Sequence, residues 1–342
     1  MRVSLLRFLT GRVLAAAPIL AGAVVVTFLI MRVLPGDPAA LLASGPGAGP
    51  AEIAELKHQM GLDRPLPEQL AIYARAVVAG DLGRSFTTGR PVAADLAERL
   101  PASLELTFVA LALAALVGLP LGVVAALRPG SWIDQASRAV SVIGAALPAF
   151  VVGLALIYVF YFGLGVAPEP IGQIDPWLTP PRVVTGVLLI DSLLAHNGAA
   201  FLSALARLAL PAATMALFAL APLVRITRAA MIETLSSDYL KAARALGLPR
   251  RTILLHYALS NAAAPILTAL GMVFSYMLGA NVLVEKLFAW PGISAYAVDA
   301  LMAADYAPVQ GFVLTVAILF TLVNLGVDIL HGLVDPRVLR GA

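Results

Sequence analysis

The chain alternates between long apolar runs and polar segments. Six of the runs are long enough to cross a hydrocarbon core of about 30 Å, which takes roughly 20 helical residues. They lie at 9–31, 104–127, 139–165, 202–224, 262–284 and 309–334. A seventh apolar stretch, 183–195, contains Asp191 and is too short to span, so we expect it in an external loop. The pattern predicts an all-α polytopic membrane protein with about six transmembrane helices.

The composition agrees with this interpretation. Only 13% of the 342 residues are charged, against about 25% in a typical soluble domain, and 60% are hydrophobic. Arginines precede the N-terminal apolar run, as in a signal peptide. However, the small residues at 15–17 come before its most apolar part, where a signal peptide would place them after it. We therefore interpret this run as an uncleaved first span. The sequence contains no cysteine, which excludes disulfides and thiolate sites.

Basic residues collect on one side of the predicted topology. They precede the first span, follow the second and sixth, and are densest between the fourth and fifth. These residues are Arg2, Arg7, Arg12, Arg128, Arg138, Arg225, Arg228, Lys241, Arg244, Arg250, Arg251, Arg337 and Arg340. This side is expected to be cytoplasmic. Residues 34–101 then form a periplasmic subdomain, in which 51–60 and 65–79 are predicted as short helices.

Several kinds of chemistry are missing from the sequence. No lysine follows a glycine, so there is no phosphate-binding Gly-Lys-Ser/Thr loop, and the four histidines lack metal-ligand spacing. The predicted spans are nearly free of charge at their centres, where ion-coupled carriers place acids or histidines. Glu105 and Asp328 are the candidate exceptions, with ordinary helix-end residues as the simpler interpretation. The energy for transport would have to come from a partner.

The segment between the fourth and fifth spans predicts a helix, a short turn and a second helix. Ser236 or Ser237 is expected to cap the first helix, with Asp238 in its first turn. Alanines at 242, 243 and 245 favour a helix with little side-chain bulk. Gly247 can end that helix and Pro249 can start the next one. Such a compact helix suits docking into a groove on a partner, and the alternative is a merely solvated basic loop.

Residues 238–248 resemble the EAA loop of binding-protein-dependent ABC importer permeases, in the version typical of the dipeptide, oligopeptide and nickel branch. Other motifs of that branch follow in order along nearly the whole chain. They are LPGDP at 34–38, GLDRP at 61–65, GDLGRSF at 80–86, LPASLEL at 100–106, LPA at 210–212, VE at 284–285, FAWPG at 288–292, VD at 327–328 and VDPR at 334–337. Two positions depart from the general loop pattern. Lys241 stands at the Glu position, and residues 257–260 replace the Ile-x-Leu-Pro end.

The resemblance implies a type I ABC importer permease fold (MetI-like) and a domain layout. Residues 1–8 and 336–342 are expected to be cytoplasmic, 9–33 to be the first span, and 34–101 to be periplasmic. The permease core is 102–335, with the coupling loop at 225–261. The loop residues implied in ATPase coupling are Glu233, Asp238, Tyr239, Lys241, Ala242, Ala243, Arg244, Gly247, Pro249 and Arg250.

The resemblance also implies partners and a function. The partners are a second homologous permease, two P-loop ATPase subunits, a periplasmic or lipid-anchored solute-binding protein, and membrane lipid, but no nucleic acid. The chain is expected to be a transport subunit in the bacterial inner membrane, not an enzyme. It is expected to hold no cofactor, because ATP and Mg²⁺ are bound by the ATPases. Di- or oligopeptides are the favoured substrates, with nickel, glutathione or another small solute as alternatives. A stand-alone secondary carrier and a membrane scaffold or sensor are the other functions considered.

Overall fold

A computed structural model describes residues 2–33, 49–59, 61 and 63–334 of the chain. Its helices are α1 (Arg2–Val33), α2 (Pro50–Gln59), α3 (Leu66–Val78), α4 (Val92–Leu127), α5 (Trp132–Ala146), α6 (Ala149–Leu156), α7 (Leu188–Leu194), α8 (Gly198–Ser236), α9 (Asp238–Ala245), α10 (Leu259–Leu287), α11 (Ile293–Met302) and α12 (Tyr306–Val334). A π-helical segment, Ile157–Gly163, extends α6. A short turn, Arg250–Thr252, and a second π-helical segment, Ile253–Ala258, lead into α10. Within the described ranges there is no β-strand, only an isolated bridge between Arg84 and Pro91, so the all-α prediction is confirmed.

Five helices in the described part of the chain are long and apolar enough to cross a membrane. They are Thr10–Ile30, Val92–Leu127, Gly198–Ser236, Arg250–Gly279 and Tyr306–Gly332. Each of them overlaps one of the predicted runs, so five of the six predicted spans are confirmed. The helices α4 and α8 are 36 and 39 residues long. At 1.5 Å per residue each extends about 55 Å, so both project well beyond the bilayer core.

The third predicted span is not one helix. Later residues of this stretch contact earlier residues of α8. Asp134 bonds to Arg228, a Cβ on Gly144 would face Leu217 and Ala221, and one on Gly153 would face Thr214. Helices α5 and α6 therefore pack one after the other along α8 and run antiparallel to it, so the third predicted span is divided into two helices. The prediction of a single helix over 139–165 was wrong. Pro148 has no N–H to donate and disfavours a helical conformation at the preceding residue, so the helix breaks there.

Helix α8 lies at the centre of the molecule. It packs against α4, α10, α5, α6 and α7. Its buried side chains include Leu208, Met215 and Leu223. A Cβ on Gly122 of α4 would lie 2.8 Å from the Cβ of Thr227 and 2.9 Å from the carbonyl oxygen of Val224. Only glycine allows this close approach between α4 and α8, which is the way small residues pack transmembrane helices.

The outer helices predicted at 51–60 and 65–79 are confirmed as α2 and α3. Helix α3 packs on α1, where the Phe28 and Tyr73 ring centroids are 5.9 Å apart. The short apolar stretch at 183–195 contains α7, a helix of only seven residues, so it does not span. Residues 34–48 with the LPGDP motif, and 335–342 with the predicted C-terminal tail, lie outside the described residues.

The positive-inside distribution predicts that α3 lies outside the cell and that the α4–α5 turn lies inside. Val78, at the end of α3, is 89% exposed, and Arg128, after α4, is also exposed. A membrane-impermeant maleimide should therefore label Val78→Cys in intact spheroplasts and Arg128→Cys only after the membrane is permeabilised. The chain has no cysteine of its own, so the parent protein is the blank. The reverse labelling pattern would overturn the orientation.

Candidate functional site

Helix α9 is the short helix predicted after α8. Ser237 occupies its N-cap position, but no side chain caps the helix. The Ser237 hydroxyl donates instead to the carbonyl oxygen of Thr234 at 2.6 Å, and the Ser236 hydroxyl donates to that of Glu233 at 2.8 Å. The predicted side-chain cap was therefore wrong, because both hydroxyls close the last turn of α8. Asp238 does lie in the first turn of α9, as predicted.

The end of α9 follows the prediction closely. Gly247 has φ +74°, a conformation that glycine adopts without a steric penalty. The Leu248 N–H donates to the carbonyl oxygen of Ala243 at 3.2 Å, and the Gly247 N–H donates to that of Arg244 at 3.0 Å. This pair of bonds is the Schellman pattern. Pro249 then directly precedes the next helical turn, which begins at Arg250.

One face of α9 is packed against the rest of the chain. Leu240 is fully buried and Ala243 is 5% exposed. Both belong to an apolar cluster with Met231 of α8 and with Ile253 and Ala258 of the π-helical segment. Ala243 therefore lies in the chain's own core, where it seats α9 against α8 and the start of α10.

The opposite face of α9 is solvent-exposed and apolar along a stripe. Tyr239, Ala242 and Leu246 follow one another at helical spacing, and Leu246 is 81% exposed. We call these three residues the outer face of α9. Charged side chains surround it. Asp238 and Lys241 form an exposed ion pair at 2.8 Å, and Arg244 donates to the Leu235 carbonyl oxygen at 3.1 Å. Leu246 was missing from the residues predicted for this site, although its spacing from Tyr239 and Ala242 places it on the same face.

The structure places the remaining predicted loop residues around α9. Glu233 lies on the last turn of α8 and Arg250 opens the following helix, and both are exposed. Asp134, at the start of α5, lies at the same end of the molecule as α9 and is fully buried. Asp134 accepts hydrogen bonds from Arg228 Nη2 at 2.9 Å and from the Gly130 N–H at 2.9 Å. The sequence marked Arg228 only as a topology signal and did not indicate this buried pair.

At the other end of the molecule, α10, α11 and α4 meet around Glu285. Its side chain is fully buried at the end of α10. It accepts hydrogen bonds from Asn281 Nδ2 at 2.7 Å, from the Ser103 hydroxyl, and from the backbone N–H groups of Ser294 and Ala295 at 2.9 Å. A Cβ on Gly292 would overlap the carboxylate. These contacts explain the VE and FAWPG motifs as parts of one structural corner.

A second buried network fastens the outer segment to α11 and α12. Asp305 accepts hydrogen bonds from the Ser85 hydroxyl at 2.6 Å and from the Thr87 N–H at 3.1 Å. Asp95, on α4, accepts from Thr88 Oγ1 at 2.6 Å and from the Tyr296 hydroxyl at 3.0 Å. The GDLGRSF motif, predicted to be external, is thus held against the ends of the spanning helices.

Both candidate acids from the sequence have partners in the structure. Glu105 accepts hydrogen bonds from the Leu189 N–H at 2.8 Å and from Gln173 Nε2 at 2.9 Å, so it holds the loop around α7. Asp328 pairs with Arg12 of α1 at 3.1 Å. The simpler interpretation of these residues as satisfied helix-end groups is consistent with both sets of contacts.

Arg207 lies inside a predicted span. It was not identified from the sequence as a charged residue of the spans. It lies near the start of α8 and bonds to Asp175 at 2.8 Å through Nε. Its Nη1 donates to the carbonyl oxygens of Glu169 and Ile171, which fixes the loop between α6 and α7. Ser203 and then Arg207 lower the pKa of Asp175, so its carboxylate stays ionised in this contact.

Two family models together match nearly the whole chain. Residues 118–340 match the inner membrane component of binding-protein-dependent transport systems, and residues 5–107 match the N-terminal region of such components. Both models describe membrane subunits of transport systems. Together they cover the described helices except residues 2–4 of α1 and 108–117 of α4, and they include the loop that carries α9.

Curated relatives match over almost their full length. A probable D,D-dipeptide transport system permease, DdpB, of Escherichia coli K12 is 45% identical over 94% of both chains. A di/tripeptide permease, DppB, of Pseudomonas aeruginosa UCBPP-PA14 is 40% identical over 98% of this chain and 99% of its own. The dipeptide permease DppB of Escherichia coli K12 is 36% identical with the same coverage. Among solved structures, the MetNI methionine ABC transporter in an inward-facing conformation matches with TM-score 0.49 and 18% identity, covering 68% of this chain and 93% of that one.

Proposed function

Because this chain belongs to the family of inner membrane components of binding-protein-dependent transport systems, we propose that it forms half of the translocation pathway of an ATP-driven peptide importer. The family assignment itself makes the chain a multi-pass inner-membrane permease of an ABC importer. Such a permease works with a solute-binding protein and with ATPase subunits, and it is not an enzyme itself.

Di- or tripeptides are the substrates that the relatives favour. Three permeases that are 36–45% identical over at least 94% of this chain carry names that specify dipeptide, D,D-dipeptide or di/tripeptide transport. This full-length similarity is the observation that carries the proposal. Nickel, glutathione and other small solutes are the alternatives, since none of the contacts described above involves a solute.

The outer face of α9 is the proposed ATPase-docking surface. An exposed apolar stripe with a charged rim suits insertion of a short helix into a groove on a partner. Its buried face is packed on α8 and on the π-helical segment that leads into α10. A movement of α9 would therefore pass directly into two spanning helices. ATP and Mg²⁺ are proposed to bind to the two ATPase subunits, with no cofactor in this chain.

A second permease subunit is the proposed partner for the open face of α10. The exposed residues along α10 include Asn261, Thr268, Met272 and Tyr276. Tyr276 stacks on Phe218 of α8 at 5.3 Å. Asn261 and Thr268 donate hydrogen bonds to the carbonyl oxygens of Tyr257 and Ala264 one turn earlier, and their remaining polar surface suits a protein interface or a wet pathway better than lipid. The exposed side of α4, by contrast, presents Leu113, Leu116 and Val117.

The proposal is tested by reconstitution. We expect proteoliposomes that contain this chain, its sister permease and the ATPases to accumulate a labelled dipeptide only when ATP and the solute-binding protein are both present. The purified chain alone should hydrolyse no ATP, since its sequence contains no Gly-Lys-Ser/Thr loop. Unlabelled peptide, Ni²⁺ and glutathione serve as competitors. Uptake by the chain alone, driven by an ion gradient, would defeat the proposal. If only a non-peptide solute competed with the labelled dipeptide, that solute would become the proposed substrate.

A further inference from the structure

Two ion pairs mark two levels along α8. Near the start of this helix Arg207 Nε bonds to Asp175 at 2.8 Å, and near its end Arg228 Nη2 bonds to Asp134 at 2.9 Å. The two arginines are 21 residues apart, which is about 32 Å at 1.5 Å per residue. The hydrocarbon core of a bilayer is about 30 Å thick, and charged groups are costly within it. The two ion pairs therefore lie near the two edges of this core.

Helix α4 gives the same spacing. Glu105 accepts a hydrogen bond from the Leu189 N–H at 2.8 Å, and α4 ends 22 residues later at Leu127, a distance of about 33 Å. The loop at 164–197, between the π-helical extension of α6 and the start of α8, contains both Asp175 and Leu189. It is thus fastened to two spanning helices at the level of one edge of the hydrocarbon core.

An exposed tryptophan lies beside each ion pair of α8. Trp177 follows Asp175 by two residues, and Trp132 precedes Asp134 by two residues. Both tryptophans are 78% exposed. The third tryptophan of the chain, Trp290, is buried, and its indole N–H donates to the Ala102 carbonyl oxygen at 2.9 Å. Tryptophan is enriched at both membrane–water interfaces, because its ring is apolar and its N–H can bond to the head-group layer.

The surface around Trp177 is mostly apolar. Residues 170–195 include three charged side chains, and two of them, Asp175 and Asp191, accept hydrogen bonds from within the protein. The third, Arg182, is exposed, and its long side chain can reach lipid head groups from apolar surroundings. An apolar surface of this kind indicates a contact with a membrane or a protein. Its exposed members are Ile171, Val183, Val184, Leu193 and Leu194.

We propose that the loop at 164–197 is immersed in the interfacial layer of one leaflet, and that Trp177 there and Trp132 in the opposite leaflet anchor the permease. The partner of this surface is the glycerol and head-group layer of the lipids. The level of the ion pairs favours lipid over a protein from the aqueous phase, because Arg207 and Glu105 hold the loop at the edge of the core. By the orientation given above, this loop lies in the outer leaflet.

Tryptophan fluorescence in the assembled transporter tests the proposal. Trp132→Phe and Trp177→Phe each keep an aromatic ring, and the emission lost relative to the parent belongs to the replaced tryptophan, since the partner subunits are the same in every sample. In bilayers of phosphatidylcholine brominated near the head-group end of its acyl chains, both exposed tryptophans should lose most of their emission. Bromine near the methyl end should quench them less, and so should iodide in the water.

The purified full chain with both substitutions is the matched control. It retains only Trp290, which is 1% exposed, so brominated lipid should leave its emission unchanged.

Three results would overturn the proposal. Quenching of Trp177 by iodide, with no effect of either brominated lipid, would place the loop in water. Protection of Trp177 from iodide by added solute-binding protein would assign the surface to that protein. Quenching by brominated lipid in the purified chain but not in the transporter would assign it to the sister permease.

Discussion

Leu246→Asp should abolish uptake while the permease remains folded at its normal membrane level. Leu246 is 81% exposed and follows Ala242 on the outer face of α9, so the chain's own fold loses almost nothing when it changes. Exposed substitutions usually shift stability by no more than about 0.5 kcal/mol. In the docked complex, by contrast, the new carboxylate would be buried in an apolar groove without a partner, which costs at least several kcal/mol. That loss is enough to release the ATPase subunits.

Two variants serve as matched controls for this experiment. Val78→Asp places the same charge on a similarly exposed apolar residue at the other end of the molecule, and it should leave ATPase co-purification unchanged. Ala243→Asp lies on the buried face of the same helix and should lower the membrane level instead, because it breaks the packing on Met231 and Ile253. The measurements are uptake, membrane level and the amount of ATPase that co-purifies. Normal uptake by Leu246→Asp would remove α9 from the coupling path.

The spans and the end of α9 could be predicted because each depends on local sequence. An apolar run of 20 or more residues has one stable arrangement in lipid, which is a helix. Gly247 and Pro249 restrict backbone angles whatever surrounds them, and the turn between them formed as predicted. Pro148 is also a local signal for a helix break. However, the residues on both sides of it are apolar, so 139–165 was predicted as one helix and the end of α5 was missed.

The two faces of α9 could not be separated from composition alone. Ala242 and Ala243 are alike in size and polarity, and both were predicted for the coupling site. Neighbouring residues in a helix point about 100° apart, so only one of the two can face the core. The structure buries Ala243 because it lies three residues after Leu240, on the side that meets the cluster around Met231. The capping serines were unpredictable for a similar reason, since the carbonyl groups of α8 compete for their hydroxyls.

The buried acids were the largest omission from the sequence interpretation. Asp95 and Asp305 belong to none of the motifs identified in the sequence, and Glu285 appears there only as part of a family motif. Each of them accepts hydrogen bonds from groups far away in the chain, such as Ser103 for Glu285 and Ser85 for Asp305. A single sequence contains no signal that joins residues about 180 or 220 positions apart. Their burial becomes visible only when the helix ends are placed together.

Glu285→Ala should prevent assembly of the end of the molecule that holds α11. The change removes the acceptor for four hydrogen-bond donors, which belong to Ser103, Asn281, Ser294 and Ala295. Each donor left buried and unsatisfied costs about 1–3 kcal/mol, so the summed loss is comparable to the whole stability of a typical domain. The expected result is a membrane level near zero, or a protein that aggregates when the membrane is solubilised in detergent.

Lys286→Ala is the matched control in the next position. Lys286 forms only an exposed ion pair with Asp299, a kind of contact worth about 1 kcal/mol or less, so its loss should leave both membrane level and uptake close to normal. Fluorescence-detected size-exclusion chromatography of tagged variants gives the amount and dispersity of each. A monodisperse Glu285→Ala protein at the parent's level would show that the donors find water or each other, and that Glu285 is not needed to hold α4, α10 and α11 together.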